Sequence, residues 1–231
     1  MSRVRLIKAG AGVPDRYQPV ADAADREEVP RSVRVDLELL SQPAHGDPHV
    51  GRLGFVGSNP TTRPLIEASF KRALEILDTH LAARPYVLGG RPAMADFGLW
   101  GQFYEAATDP TPAAIMRAEP NVMAWVQRMV SPKAEGPFES WSALSAGLMP
   151  LLTEEVGRLF LPWSAANAEA IAKGEKTFTM SLGGAEWTQE PQKYHARSLQ
   201  EIRRKYAAAK SAALDEILEK AGCLSVLRSG A

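Results

Sequence analysis

Five groups of side chains have types and spacings that chemistry can use. Gly10, Ala11 and Gly12 follow residues 3–8, which alternate weakly enough for a short strand, and strand-then-glycine is how a dinucleotide loop begins. Asp15 stands where the third glycine belongs and no long helix follows, so phosphate binding is not expected. His45, Asp47 and His49 offer two imidazoles and a carboxylate within five residues. Gly46 and Pro48 keep them off a common helical face and no further ligand is fixed, so a solvated loop is expected and no metal. Tyr194, His195 and Arg197 gather near the start of the last helical segment, where a packed, hydrogen-bonded cluster is the expectation rather than a catalytic one. Cys223 follows that segment, where the negative end of a helix dipole raises a thiol pKa and argues against a nucleophile. Trp163 and Trp187 can line an apolar pocket or simply pack a core. None of these defines a catalytic residue.

The totals bound what such groups serve. The chain has 231 residues, enough for one large domain or one domain with a substantial appendage. Its hydrophobic fraction of 45% permits a sizeable core. Formal net charge is +0 and no run of five like charges occurs, so nucleic acid is not an expected partner. With Cys223 as the single cysteine, an internal disulfide and a multi-thiolate zinc site are both excluded. No apolar stretch approaches the roughly 18 residues that span a bilayer. The first ten residues have no apolar run after their basic residues, so a secretory signal is not expected and a cytoplasmic location is.

Periodicity sets the elements. Before residue 60 no long periodic segment occurs; 33–40 is a candidate strand or helix, and 45–60 is rich in Gly, Pro and Asn. From Thr62 onward Ile66, Phe70, Ala73, Leu74, Leu77 and Leu81 recur at three- and four-residue steps, one face of a helix. Arg63, Glu67, Lys71, Glu75 and Asp78 take the other face; Thr61 or Thr62 can cap it and Pro64 suits its first turn. Residues 93–107 are apolar almost all round, which predicts an enclosed helix, with Gly98 and Gly101 admitting a close neighbour. Asp109, Pro110 and Pro112 stop it. Pro120 starts a further helix burying Val122, Trp125, Val126 and Met129, ended by Ser131 and Pro132.

Residues 133–149 read as looser chain. An apolar helix then passes through Val156, Leu159, Phe160 and Trp163, where Pro162 predicts a kink or break. Phe178, Met180 and Leu182 alternate with Thr177, Thr179 and Ser181 before Gly183-Gly184, a β-hairpin pattern. A last helix is expected over 192–221, with Leu199, Ile202, Tyr206, Ala213 and Ile217 inward and Gly222 as its stop.

The most informative string runs from Arg84 to Phe103: a helix ends, Pro85, Tyr86, Val87 and Leu88 lead to Gly89-Gly90, and Ala95-Asp96 opens the apolar helix. Together with Pro120, Asn121 and Trp125 downstream, residues 64–132 resemble the all-helical C-terminal domain of the glutathione S-transferase family. The resemblance implies a helical bundle and a helix-start motif at Gly90, Ala93 and Asp96. In that family a Ser or Thr caps this helix while the Asp three residues on reaches back to the cap's N–H. Ala93 has no side-chain oxygen, so half of the reciprocal pair is absent, at a cost of about 1 kcal/mol.

The family's chemistry resides in a preceding thioredoxin-like domain, where a Ser, Tyr or Cys stabilises the glutathione thiolate. Here the residues before Thr62 contain no cysteine and no acidic or Gln residue followed by Ser; Val29-Pro30 lacks the strand-turn-helix continuation. The expected organisation is an irregular segment over 1–60, a glutathione transferase-like helical core over 61–133, and a helix–hairpin–helix extension over 134–231 packed on it, mainly α throughout. The resemblance implies a transferase-like protein whose helical domain shapes an apolar pocket for an electrophilic co-substrate, with glutathione bound only if an N-terminal domain is supplied. Its implied partners are glutathione, a hydrophobic electrophile and a second copy of the chain. A non-catalytic interaction or scaffold module and a small-ligand carrier are the alternatives.

Overall fold

Helix α1 (Arg63–Leu81) takes its start from Asn59, whose side-chain oxygen accepts the N–H groups of Thr61 at 2.9 Å and Thr62 at 3.1 Å. The computed structural model describes residues 56–229. Neither threonine caps α1 as expected: the fully buried Thr62 hydroxyl turns inward and donates to Gly57 O at 2.7 Å. Pro64 does occupy the first turn. Leu74, Leu77 and Leu81 are buried, whereas Ile66, nearer the start, is exposed.

Helix α2 (Met94–Thr108) forms where expected but is not enclosed. Phe103 and Asp96 are buried, Leu99, Trp100 and Tyr104 are partly covered, and Met94 and Phe97 are 83% and 48% exposed. Among the described residues a Cβ at Gly98 or Gly101 would meet nothing within 4 Å, so none of them passes close over these glycines. An apolar sequence on every side predicted enclosure; among the described residues only one side has a partner.

Asp109 ends α2 and at once caps α3 (Pro110–Met116) through Thr111 N at 2.9 Å. The prolines read only as a stop therefore also open a helix, since both stand in its first turn, where a missing N–H costs little. Helix α4 (Pro120–Arg128) buries Val122, Trp125 and Val126, with Met129 just beyond it also buried. Its N-terminus is capped from α1: Asp78 accepts Asn121 N at 2.7 Å and Val122 N at 3.0 Å. Asp78 thus does more than face solvent. Leu74, Leu77, Phe103, Met116, Trp125 and Val126 form one core.

The expected loose stretch is partly helical, because α5 (Trp141–Pro150) buries Leu144 and Leu148 against Val87. It continues into a π-helical segment (Leu151–Phe160) and then α6 (Leu161–Lys173) with no intervening coil, so Pro162 breaks nothing. A proline clashes with the carbonyl four residues back in an α ladder. Here the ladder before it is wider, with Leu161 N donating to Val156 O, five residues back.

Strands β1 (Phe178–Leu182) and β2 (Ala185–Gln189) form the expected antiparallel hairpin, Met180 opposite Trp187. Gly183 and Gly184 have φ of +58° and +89°, the two left-handed positions that such a turn requires. The helix expected over 192–221 is two, and a third short one follows it. Helix α7 (Lys193–Ala209) ends at Lys210, and Ser211 caps α8 (Ala212–Lys220) by accepting Leu214 N at 3.2 Å. A serine in a helical run offers the backbone this competing bond. Gly222 is the stop of α8, as expected, before α9 (Leu224–Arg228). Leu161, Leu199, Tyr206, Leu224 and Leu227 make a second core. The architecture is mainly α with a helix–hairpin–helix extension.

Candidate functional site

A cavity of about 680 Å³ opens between α1, the π segment, the hairpin and the start of α7. Helix α1 contributes Leu65, Ile66, Ser69 and Ala73, which share a face at steps of one and four residues. The upper part of its apolar stripe thus lines a cavity instead of filling a core, which is why Ile66 is open.

From the π segment come Leu151, Glu155, Val156, Leu159 and Phe160. Leu151 and Phe160 are nine residues apart, about two and a half turns of an α-helix, and would point opposite ways in one. Hydrogen bonding five residues apart instead of four brings both to the cavity. The hairpin and α6 add Leu182, Trp187 and Trp163. Both indoles donate to the side-chain oxygen of Gln189, at 3.0 Å from Trp187 and 3.3 Å from Trp163. This orients the amide and fixes both rings. The hairpin tip rests on α1, where a Cβ on Gly183 would come 2.5 Å from Leu65 Cδ1.

Polar chemistry within the cavity is sparse. Ser69 donates its hydroxyl hydrogen to Glu155 Oε2. Glu154, one residue earlier, takes a bidentate pair from Arg72 at 2.7 and 2.8 Å outside the cavity. That hydrogen bond holds the Glu154 carboxyl below the usual range and the Arg72 guanidinium above its own. The Glu155 carboxylate is thus the acceptor of the Ser69 hydroxyl hydrogen, and among the described residues no histidine bonds that hydroxyl.

Of the residues singled out from sequence, Trp163 and Trp187 do line the cavity together. His195 stands at its wall, edge-on to Trp163 with ring centroids 5.0 Å apart. Tyr194 is 77% exposed and 5.9 Å from His195, centroid to centroid, so the expected packed, hydrogen-bonded cluster is instead a ladder of rings reaching into solvent. Cys223 is buried, with Leu152 O at 3.8 Å, and burial pushes its thiol pKa up. Among the described residues no group of His, Cys, Asp and Glu is arranged to hold a metal. The Gly10–Gly12 loop, Asp15, the His45–His49 group, Val29-Pro30 and the elements at 3–8 and 33–40 lie outside the described residues.

The helix-start motif lies apart from the cavity. Asp96 is fully buried and accepts three donors: Ala93 N at 2.9 Å, Val87 N at 2.8 Å and Trp125 Nε1 at 3.0 Å. Ala93 contributes no side-chain cap. Gly90 donates to Pro137 O at 2.8 Å, and a Cβ there would come 2.6 Å from Gly136 Cα. Sequence reasoning missed Ser69, Glu155 and Gln189. Ser69 had a signal, a polar residue interrupting the stripe of Ile66 and Ala73, whereas Glu155 beside Glu154 reads as solvated at α-helical spacing.

Fold and site together define a helical domain with a ligand-sized apolar cavity. Residues 25–128 match the family model described as Glutathione S-transferase, C-terminal domain. Over that segment, a little less than half of the chain, the sequence is similar to a glutathione S-transferase C-terminal domain. The match ends at the last residue of α4, so the π segment, the hairpin and most of the cavity wall lie beyond it. It holds although the outer side of α2 is open. No curated protein and no solved structure matches the chain.

Proposed function

We propose that this is a glutathione S-transferase-like protein whose helical domain binds an apolar small molecule in the cavity behind Trp163 and Trp187. The observation that carries the reading is the cavity itself: its volume falls within the roughly 300–1,000 Å³ of ligand sites, and its wall is aromatic and aliphatic with a few fixed polar atoms. The Ser69 hydroxyl in the cavity is engaged by the Glu155 carboxylate. Glutathione chemistry on this reading needs a second domain, and the chain alone is a binder. A cytoplasmic location accords with the family and with a reduced Cys223. Among the described residues no helix is long and apolar enough to cross a membrane.

The test is titration of the full chain with a neutral fluorescent naphthylamine, read by dye enhancement and tryptophan quenching. Saturable binding, without retention on immobilised glutathione and without turnover of a chlorodinitrobenzene-type electrophile, is expected. Turnover would restore the complete transferase; a folded chain that binds no dye would remove the pocket reading.

A non-catalytic interaction module is the second reading, favoured by Met94 and Phe97 on the open side of α2. That face also suits a second copy of the chain. Concentration-dependent sedimentation that Phe97→Lys abolishes would support it.

A further inference from the structure

We infer that the cavity selects apolar amines, ligands with a protonated nitrogen on a hydrophobic body, over neutral or anionic molecules of the same shape. The inference rests on the pocket reading and adds the charge of the ligand. Among the described residues lining the cavity, Glu155 alone carries a fixed charge. Its hydrogen-bond partner is the neutral hydroxyl of Ser69, and no ion pair to it forms among the described residues. Arg72, on the facing helix, closes a two-point pair on Glu154 instead. Glu154 and Glu155 thus differ sharply, one neutralised outside the cavity and one left without a counter-charge against an apolar wall.

The Glu155 carboxylate stands in a wall shared with Leu159, Phe160 and Val156, and no cation pairs with it among the described residues. A ligand ammonium group would supply that charge and could donate to the carboxylate oxygen. The aromatic rings of Trp163 and Trp187 add to the preference, because their faces attract cations and not anions. A carboxylate ligand would meet repulsion in a low-dielectric setting, where like charges are poorly screened. A neutral alcohol would gain only an ordinary hydrogen bond.

The experiment loads the full chain with N-phenyl-1-naphthylamine, a neutral dye at neutral pH, and displaces it with octylammonium, octanol and octanoate. Octylammonium is expected to displace at a concentration roughly tenfold below octanol, with octanoate weakest. In Glu155→Gln the ammonium advantage over octanol should fall to about twofold or less. In Ser69→Ala, which leaves the charge in place, the advantage should persist. Dye binding with equal displacement by all three competitors would overturn the inference and leave the pocket reading standing. No dye binding by the folded chain would end both. The wild-type comparison decides the matter even if Glu155→Gln does not fold.

Discussion

Trp125 Nε1 donates to Asp96 Oδ1 at 3.0 Å in the interior, and this single bond ties the start of α2 to the middle of α4. The same carboxylate holds Val87 from the preceding loop and the N–H of Ala93 at the helix end. The loop before α2, the start of α2 and the middle of α4 are thereby tied to one carboxylate. A carboxylate at a helix N-terminus is also favoured by the dipole. The motif organises the fold and does not face the cavity.

Asp96→Ala should destabilise the protein by about 3 kcal/mol or more, because it removes the acceptor of three donors, two of them in buried bonds. Urea unfolding followed by tryptophan fluorescence measures it. A loss below about 1 kcal/mol would mean that the three donors find other partners and that the motif is less central than its geometry implies.

Ala93→Ser should act in the opposite direction. Ala93 has φ −123° and ψ 172°, the extended conformation of a capping residue, but no oxygen to offer. A serine there completes the reciprocal pair with Asp96 and is expected to add about 0.5–1 kcal/mol. The same urea titration reads it as a higher midpoint at unchanged slope.

His80 makes stability depend on pH. It is buried on α1, with Nε2 2.8 Å from Val87 O and Nδ1 3.2 Å from Arg84 Nη1. The carbonyl can only accept and the guanidinium can only donate, so the ring is neutral with its proton on Nε2. Burial, helped by Arg84, lowers its folded-state pKa below the ordinary 6.5. The unfolded chain therefore binds the proton first as pH falls. Stability is expected to be intact above 6.5 and to be lost as pH drops from there toward the folded value. Melting temperatures between pH 7.5 and 5.5 should decline for the wild type and decline less for His80→Asn.

The fold was legible where local pattern and tertiary packing agree. Trp125, Val126 and Val122 announced α4 because one face is buried along its whole length, and Gly183-Gly184 announced the hairpin because the turn needs two left-handed residues. It was illegible where a distant partner decides. Nothing near Asp78 in sequence says that it caps α4 across 43 residues. The apolar surround of α2 predicted enclosure, yet composition does not say which side has a neighbour. The cavity was half legible: Trp163 and Trp187 were visible as aromatic liners. Glu155 was hidden because a period of 3.6 does not group it with Phe160; the π winding does.

Four glycines separate close packing from open surface. Gly147 on α5 lies against α1, and a Cβ there would sit 2.1 Å from His80 Nδ1; on Gly157 it would sit 1.9 Å from Ala221 O. Gly147→Ala must displace a buried ring held by Arg84, and Gly157→Ala must displace backbone. Each is expected to cost about 2 kcal/mol or more, within the range of overpacking. Gly98 and Gly101 on α2 have nothing within 4 Å and lie mid-helix, so alanine there should stabilise by about 0.5–1 kcal/mol through helix propensity alone. Chemical denaturation of the four variants tests the pair of outcomes together. If Gly98→Ala and Gly101→Ala proved as damaging as Gly147→Ala, a neighbour would lie close over α2, and that helix would be enclosed as its sequence predicted.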